Sequence, residues 1–403
     1  MGENALDSRY SWARLGLSLL IGIIGSAGMW MVITVMPSIQ SDFGLDRAEA
    51  SYPYILTMIG FALGNYLIGT VVDRLGITLA LSGSALLIGA GFALAAISPT
   101  MFLLSALHLL IGLGTAASFG PLIADVSLWF LKRRGIAVAV AASANYLSGA
   151  FWPVVLSDYQ AAHGWRATYL LLAVICTVSV LALAQLLRRR VPVEATARAD
   201  AVSNERARSS GFSNGALVVL LGLAGIGCCV AMSMPQVHIV SFCVDLGYGP
   251  AVGAEMLSLM LLGGVASRLL SGLLSDRFGG LRTLLIGSAL QMMALFLYLP
   301  FDGLISLYVV STIFGLAQGG IVPSYAVIVR EYLPAKDAGS KVGFVLMTTV
   351  IGMALGGWMS GWIYDMTGSY QLAFWNGIGW NLLNIMIALT ILFRSIRPTP
   401  LPA

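Results

Sequence analysis

GFALGNYLIGTVVDRLG at residues 60–76 and GGVASRLLSGLLSDRFG at residues 263–279 decide how this chain is built. They stand in register at a constant offset of 203 residues, which pairs Gly69 with Gly272, Asp73 with Asp276, Arg74 with Arg277 and Gly76 with Gly279. Each copy is an apolar run that ends in a short charged turn. The apolar parts lack the two-residue alternation of a half-buried strand. A hydrocarbon core about 30 Å thick needs about 20 apolar residues to cross as a helix, and lipid offers no water to satisfy backbone groups. Both copies therefore read as the end of a membrane-spanning helix, and their spacing makes them two occurrences of one repeat.

Working outward, 58% of the 403 residues are hydrophobic, 10% are charged and the mean hydropathy is +0.88, which excludes a soluble domain. The chain divides into apolar stretches from 15–37 to 372–393, and the expected fold is an all-α membrane protein of twelve transmembrane helices in two pseudo-symmetric six-helix bundles. The expected domains are an N-terminal bundle at 1–187, a charged, Ala- and Arg-rich cytoplasmic linker at 188–213 and a C-terminal bundle at 214–403. With both termini on the cytoplasmic side, Arg47 and Arg166 are the outer-loop cations among the 22 Lys and Arg, and Arg268 is the one placed inside a span. This asymmetry follows the positive-inside rule and sets the orientation, with the bacterial inner membrane as the expected location. The net charge of +4 is the sum of that loop bias and implies no nucleic-acid partner. The first span is longer than a signal h-region and is read as retained. Four Cys show no zinc-like spacing, three His are scattered, and no HExxH or GxSxG pattern occurs, so neither a metal, a cofactor nor an enzyme activity is expected.

The duplicated GxxxDRxG pattern resembles the loop signature of the major facilitator superfamily. Small Gly69 and Gly272 permit close helix contact, while Asp73 and Asp276 can meet helix amides or cations. The resemblance implies that Gly69, Asp73, Arg74, Gly272, Asp276 and Arg277 latch one conformational state of an alternating-access carrier.

Arg268 lies about 12 Å from the second loop signature along a helix. A guanidinium at such depth costs roughly 2.5–3.5 kcal/mol on insertion scales, so it faces a cavity or a partner, and its planar fork suits a carboxylate. The 203-residue offset puts Asn65 at the same place in the first repeat, so the charge is one-sided. Residues 112–149 carry Trp129 and Phe130, then Lys132, Arg133, Arg134 and Gly135 ahead of a small-residue helix. Together with Arg268, they resemble the monocarboxylate transporter and oxalate:formate antiporter families. That resemblance implies that Arg268 binds substrate carboxylate, with Asn65, Phe119, Tyr146 and Tyr325 as cavity neighbours. Departures narrow the expectation. Thr348 stands where the oxalate antiporter has a second cation, which favours a monocarboxylate. Phe119 replaces a Tyr of many relatives, and Gly264 occupies the position of a possible acid four residues before Arg268.

The expected function is secondary active transport of a small organic monocarboxylate anion by alternating access, with protons as the coupling ion, the lipid bilayer as environment and a monomer as the working form. A drug or metabolite exporter and an organic-anion antiporter are the alternatives. Asp125 and Glu331 are expected to pair structurally with Arg133, Arg134, Arg277 or Lys336. His108 and His238 are expected to be hydrogen-bonded structural residues, and Pro37, Pro121, Pro153, Pro235 and Pro323, within or at the ends of spans, to kink their helices.

Overall fold

Helix follows helix because each apolar run is bounded by a residue that ends it. The computed structural model describes residues 6–45, 49, 52–191 and 212–396. The helices are α1 (Arg9–Gly25), α2 (Ala27–Phe43), α3 (Tyr52–Leu75), α4 (Ile77–Ala96), α5 (Met101–Thr115), α6 (Gly120–Leu128) and α7 (Arg134–Gln185). They continue as α8 (Asn214–Asp245), α9 (Pro250–Phe278), α10 (Gly280–Leu297), α11 (Leu304–Gln318), α12 (Ile321–Tyr332), α13 (Ala338–Thr367) and α14 (Gln371–Ile396). Ser8 caps α1 reciprocally with Ser11, and the Thr100 hydroxyl accepts from Leu103 N at 3.3 Å to start α5. Gly76 and Gly279, the last residues of the two repeated motifs, sit at φ 90° and 85° between α3 and α4 and between α9 and α10. Side chains rarely adopt that backbone, which is why the motif closes on glycine in both copies.

Among the described residues, twelve helical stretches are long and apolar enough to cross a membrane, matching the twelve expected. The chain folds as an all-α, multi-pass membrane protein. Apolar surface points outward on them: Phe102 is 85% and Ile305 80% exposed, a cost in water that a bilayer removes. The linker residues 192–211 and Arg47 lie outside the described residues. The helices expected at 15–37 and 101–126 are each split. The first breaks at Ser26 between α1 and α2, and the second at Ala116–Ser118, a 3-10 turn between α5 and α6. α7 carries two spans and bends at Gly164.

Packing divides the chain into two compact units. Unit 1 comprises Met1–Leu131, Val140–Thr196 and Ala335–Met347, and unit 2 comprises Lys132–Ala139, Ala197–Pro334 and Thr348–Ala403. In unit 1, Ile88, Phe92, Leu104, Trp165 and Tyr169 belong to a fully buried core, with the Phe92 and Tyr169 rings 5.0 Å apart. One close helix crossing repeats in the two units. A Cβ on Gly112 would overlap the Thr57 carbonyl, and a Cβ on Gly315 would overlap the Met260 carbonyl, each pair standing at the same offset as the motifs. Small residues let backbones meet where no hydrophobic effect draws helices together.

Candidate functional site

Arg268 is 4% exposed and lies well inside the span Glu255–Phe278 of α9. Its Nε–H donates to the Gly319 carbonyl at 3.1 Å. Gly319 is the residue at which α11 ends, two residues before α12 begins, so the guanidinium meets the negative end of a half-helix. The approach depends on two glycines. A Cβ at Gly319 would overlap the Gly264 carbonyl and crowd its Cα, so the helices meet here backbone to backbone and position 319 carries no side chain. One turn on, Gly320 N donates to Ser267 Oγ at 3.3 Å. Thus α9 contributes both a donor and an acceptor to the freed backbone of the broken helix.

Asn65, at the equivalent place on α3, is fully buried and meets the break between α5 and α6. Its Oδ1 accepts from Gly120 N at 3.0 Å, and its Nδ2 donates to Phe61 O at 2.8 Å. Phe119 occupies the irregular residue just before Gly120, is 7% exposed and packs on Phe61 with ring centroids 5.8 Å apart. Asn65 and Phe119 are therefore brought together at one break. Tyr146 is half-buried on α7, next to Asn145, whose carbonyl accepts from Trp30 Nε1 at 2.8 Å. Tyr325 is fully buried in unit 2, where its hydroxyl donates to Asn384 Oδ1 at 2.8 Å and Asn384 Nδ2 donates to Ser288 Oγ at 2.7 Å.

The two motif carboxylates do the same job in the two units. Asp73 accepts from Gly339 N and Ser340 N, both at 2.7 Å, at the start of α13. Asp276 accepts from Gly135 N at 2.5 Å and Ile136 N at 3.1 Å, at the start of α7. A carboxylate on two orphan amides at a helix N-terminus is a charge-assisted cap. Gly69 and Gly272 make room for it, since a Cβ on either would collide with Gly339 or with Ile136 and Ala139. Arg74 and Arg277 occupy the last turns of α3 and α9, where a cation suits the helix dipole.

One charged partnership differs from expectation. Asp125 pairs with Arg14, 2% exposed within α1, and not with the basic loop: Nε and Nη2 of Arg14 reach Oδ2 at 3.0 and 2.8 Å. Arg14 also donates to the Leu187 carbonyl at 3.1 Å and lies 4.7 Å from the centre of the Trp129 ring. Helix α1 begins at Arg9, ahead of the first apolar residue, so Arg14 joins Arg268 as a cation within a helical span. Glu331 accepts from Gly280 N at 3.1 Å and caps α10. His108 sits between Thr57 Oγ1 and Tyr169 Oη, each at 3.0 Å. The Thr57 hydroxyl donates to Pro53 O at 2.8 Å, so His108 Nδ1 carries the proton and Nε2 accepts from Tyr169. The hydrogen-bonded structural role expected of His108 and His238 fits these contacts and the 2.8 Å bond from His238 Nε2 to Gly357 O.

Twelve spans, two repeated units and a broken helix in each define a secondary-transporter architecture. The chain belongs to the Major Facilitator Superfamily, whose family model matches residues 18–304 and 219–403. Among curated proteins it is 27% identical over 371 residues to the monocarboxylate transporter 13 of Rattus norvegicus, covering 89% of this chain and 82% of that one. It is 24% identical over 356 residues to the agnestins efflux protein of Paecilomyces divaricatus, covering 87% and 80%. Among solved structures, the E. coli fucose:proton symporter superposes with a TM-score of 0.72 at 16% identity, covering 96% of this chain and 99% of that one.

Proposed function

We propose that this transporter carries a small organic monocarboxylate anion with protons by alternating access, as a monomer in a bacterial inner membrane with both termini cytoplasmic. The observation that supports it is the buried guanidinium of Arg268, held by its Nε–H on the end of a broken helix within a membrane span. An arginine is kept at such depth where it faces a cavity or a partner, and a carboxylate matches its fork. The likeness to a monocarboxylate transporter points the same way. Thr348, 6% exposed on α13, leaves a second carboxylate of a dicarboxylate without a cation at the position where one was sought. The likeness to an efflux protein favours export as the second reading of direction. Asp73 and Asp276, with Gly69, Arg74, Gly272 and Arg277, serve as the latch whose release accompanies turnover.

Uptake of radiolabelled lactate, pyruvate and benzoate into proteoliposomes, with oxalate as the dicarboxylate control, tests the reading. Arg268→Gln is expected to abolish uptake and ligand-induced thermal shift while the protein stays monodisperse, and Arg268→Lys to leave weak binding with impaired turnover. Near-normal carboxylate binding by Arg268→Gln, or stabilisation by oxalate alone, overturns it.

A further inference from the structure

Three amide side chains form a polar layer in the core of unit 2 that neither the latch nor Arg268 uses. Gln291 on α10, Gln318 on α11 and Asn381 on α14 are 0%, 1% and 0% exposed. Packing puts Gln291 and Gln318 at one level. The antiparallel pair α10 and α11–α12 is pinned by the Tyr298 hydroxyl on Ser311 Oγ, by Gly287 against Ala317 and Ile321, and by Gly280 against Ile328. Interpolating between these contacts sets Gln291 opposite Gln318. Gly377 against Leu295 and Asn381 Nδ2 on Ser288 O at 2.8 Å pin α14 to α10 in the same way, which brings Asn381 within a turn of Gln291.

The layer is only half satisfied by the protein. Gln291 Nε2 donates to Cys228 O at 3.0 Å, and Asn381 Nδ2 donates to Ser288 O. Among the described residues, Gln291 Oε1, Asn381 Oδ1 and both polar atoms of Gln318 have no hydrogen-bond partner. Buried polar groups of this kind are nearly always paired, and each left dry is costly. The fold itself does not require the amide at position 291. At the offset of 203 residues, unit 1 has Ile88 in place of Gln291, fully buried in an apolar core.

We propose that these three amides enclose an internal water site in unit 2. The valences select water. The orphans are three acceptors and one NH2 donor, whichever way the Gln318 amide is turned. One water accepting from Gln318 Nε2 and donating to Gln291 Oε1 and Asn381 Oδ1 satisfies three of the four groups, and a second reaches Gln318 Oε1. A monovalent cation would take the oxygens and leave the NH2 group stranded. The site adjoins Gly319, where α11 ends and Arg268 is anchored, so it hydrates a helix break that lipid would otherwise leave unsatisfied.

Two measurements on the full-length protein test this. A high-resolution map of the wild type is expected to show ordered water within hydrogen-bond distance of Gln318 and of at least one of Gln291 and Asn381. In thermal melts, Gln318→Leu is expected to lower Tm by several degrees, because the leucine expels water and strands the other two oxygens, while Gln318→Leu combined with Gln291→Leu and Asn381→Leu regains most of the loss. A rise in Tm for Gln318→Leu, or a map with no density between the amides, overturns the proposal. A Tm that depends on sodium against choline in the wild type but not in Gln318→Leu also overturns it, in favour of a cation. If Gln318→Leu does not fold, the wild-type map decides.

Discussion

Asn65 and Arg268 stand at one position of a duplicated fold and meet the same feature, a helix broken inside the membrane, with opposite polarity. Asn65 accepts a backbone N–H from Gly120 at the start of α6, whereas Arg268 donates to the Gly319 carbonyl at the end of α11. The motif carboxylates show no such difference, for Asp73 and Asp276 each cap two amides at the start of a helix. What the two units share is the helix crossings and the capping carboxylates. What they do not share is the charge, present at Arg268 and replaced by an amide at Asn65.

The comparison is broken most severely at the shared helix crossings. Gly112→Val and Gly315→Val should each drive a side chain into the carbonyl of Thr57 or Met260, with overpacking costs of about 3 kcal/mol or more. Little monodisperse protein is expected from size-exclusion chromatography for either, while Gly83→Val, where a Cβ meets nothing within 4 Å, should behave as wild type. Survival of one of the pair and not the other would mean that the crossings are not equivalent.

A loss of similar size, but with a built-in rescue, is expected at the buried pair Arg14–Asp125. The same positions in unit 2 hold Leu217 and Ile328, each 1% exposed, so that unit fills this site with hydrocarbon. Arg14→Ala leaves the Asp125 carboxylate buried without its counter-charge and should cost roughly 3–5 kcal/mol. Arg14→Leu with Asp125→Ile transplants the unit 2 solution and should return stability to near the wild-type level in thermal melts, since well-packed apolar residues often replace buried ion pairs without loss. Failure of the double variant, with both singles tolerated, would show that the pair does not act as a unit.

These pairs also mark what the sequence makes legible. The repeat, the twelve spans and the paired carboxylates Asp73 and Asp276 follow from apolar length and from one motif seen twice, both local properties. Of the five prolines expected to kink helices, Pro121 and Pro323 lie just inside the second halves of the helices broken at Ala116–Ser118 and after Gln318, whereas Pro235 sits inside α8 without breaking it. The pairing of Arg14 with Asp125 was not legible. It joins residues 111 positions apart, and hydropathy placed Arg14 outside the membrane because the helix starts before its apolar run. The half-satisfied amides of unit 2 were equally hidden, since a glutamine in an apolar stretch says nothing of which helices converge on it. Asn65, expected as a cavity neighbour and the counterpart of Arg268, caps a helix that its own sequence neighbourhood does not contain.

A more moderate effect separates the latch from the fold. Asp73→Asn and Asp276→Asn keep an acceptor for one amide and lose the charge that strengthens both bonds. Each should lower the rate of transport severalfold in proteoliposomes at unchanged yield of folded protein, and by similar factors, because the two caps have the same geometry. Wild-type turnover in either variant would remove that unit's carboxylate from the latch.

The smallest expected effect lies at the end of α2, where the two units again differ in charge. Asp42 accepts from Arg166 and, at 3.1 Å, from Trp165 Nε1, while its counterpart Asp245 is hydrogen-bonded to the neutral Tyr364. The hydrogen bond from Arg166, and after it that from Trp165, holds the Asp42 carboxyl below its ordinary value of 3.8. A carboxylate depressed by folding contributes its stability above the unfolded value, and the contribution is lost as pH falls below 3.8 through the folded one. Both side chains are 43% exposed, so the pair is worth about 0.2–1 kcal/mol and salt weakens it. In melts of wild type and Asp42→Asn, the difference in Tm should be constant from neutral pH down to the ordinary carboxylate range and then shrink towards zero as acid protonates Asp42. Asp245→Asn, which breaks no ion pair with Arg166, should show no such convergence. A gap between wild type and Asp42→Asn that persists in acid would mean that packing of Trp165, and not the carboxylate charge, is what the substitution disturbs.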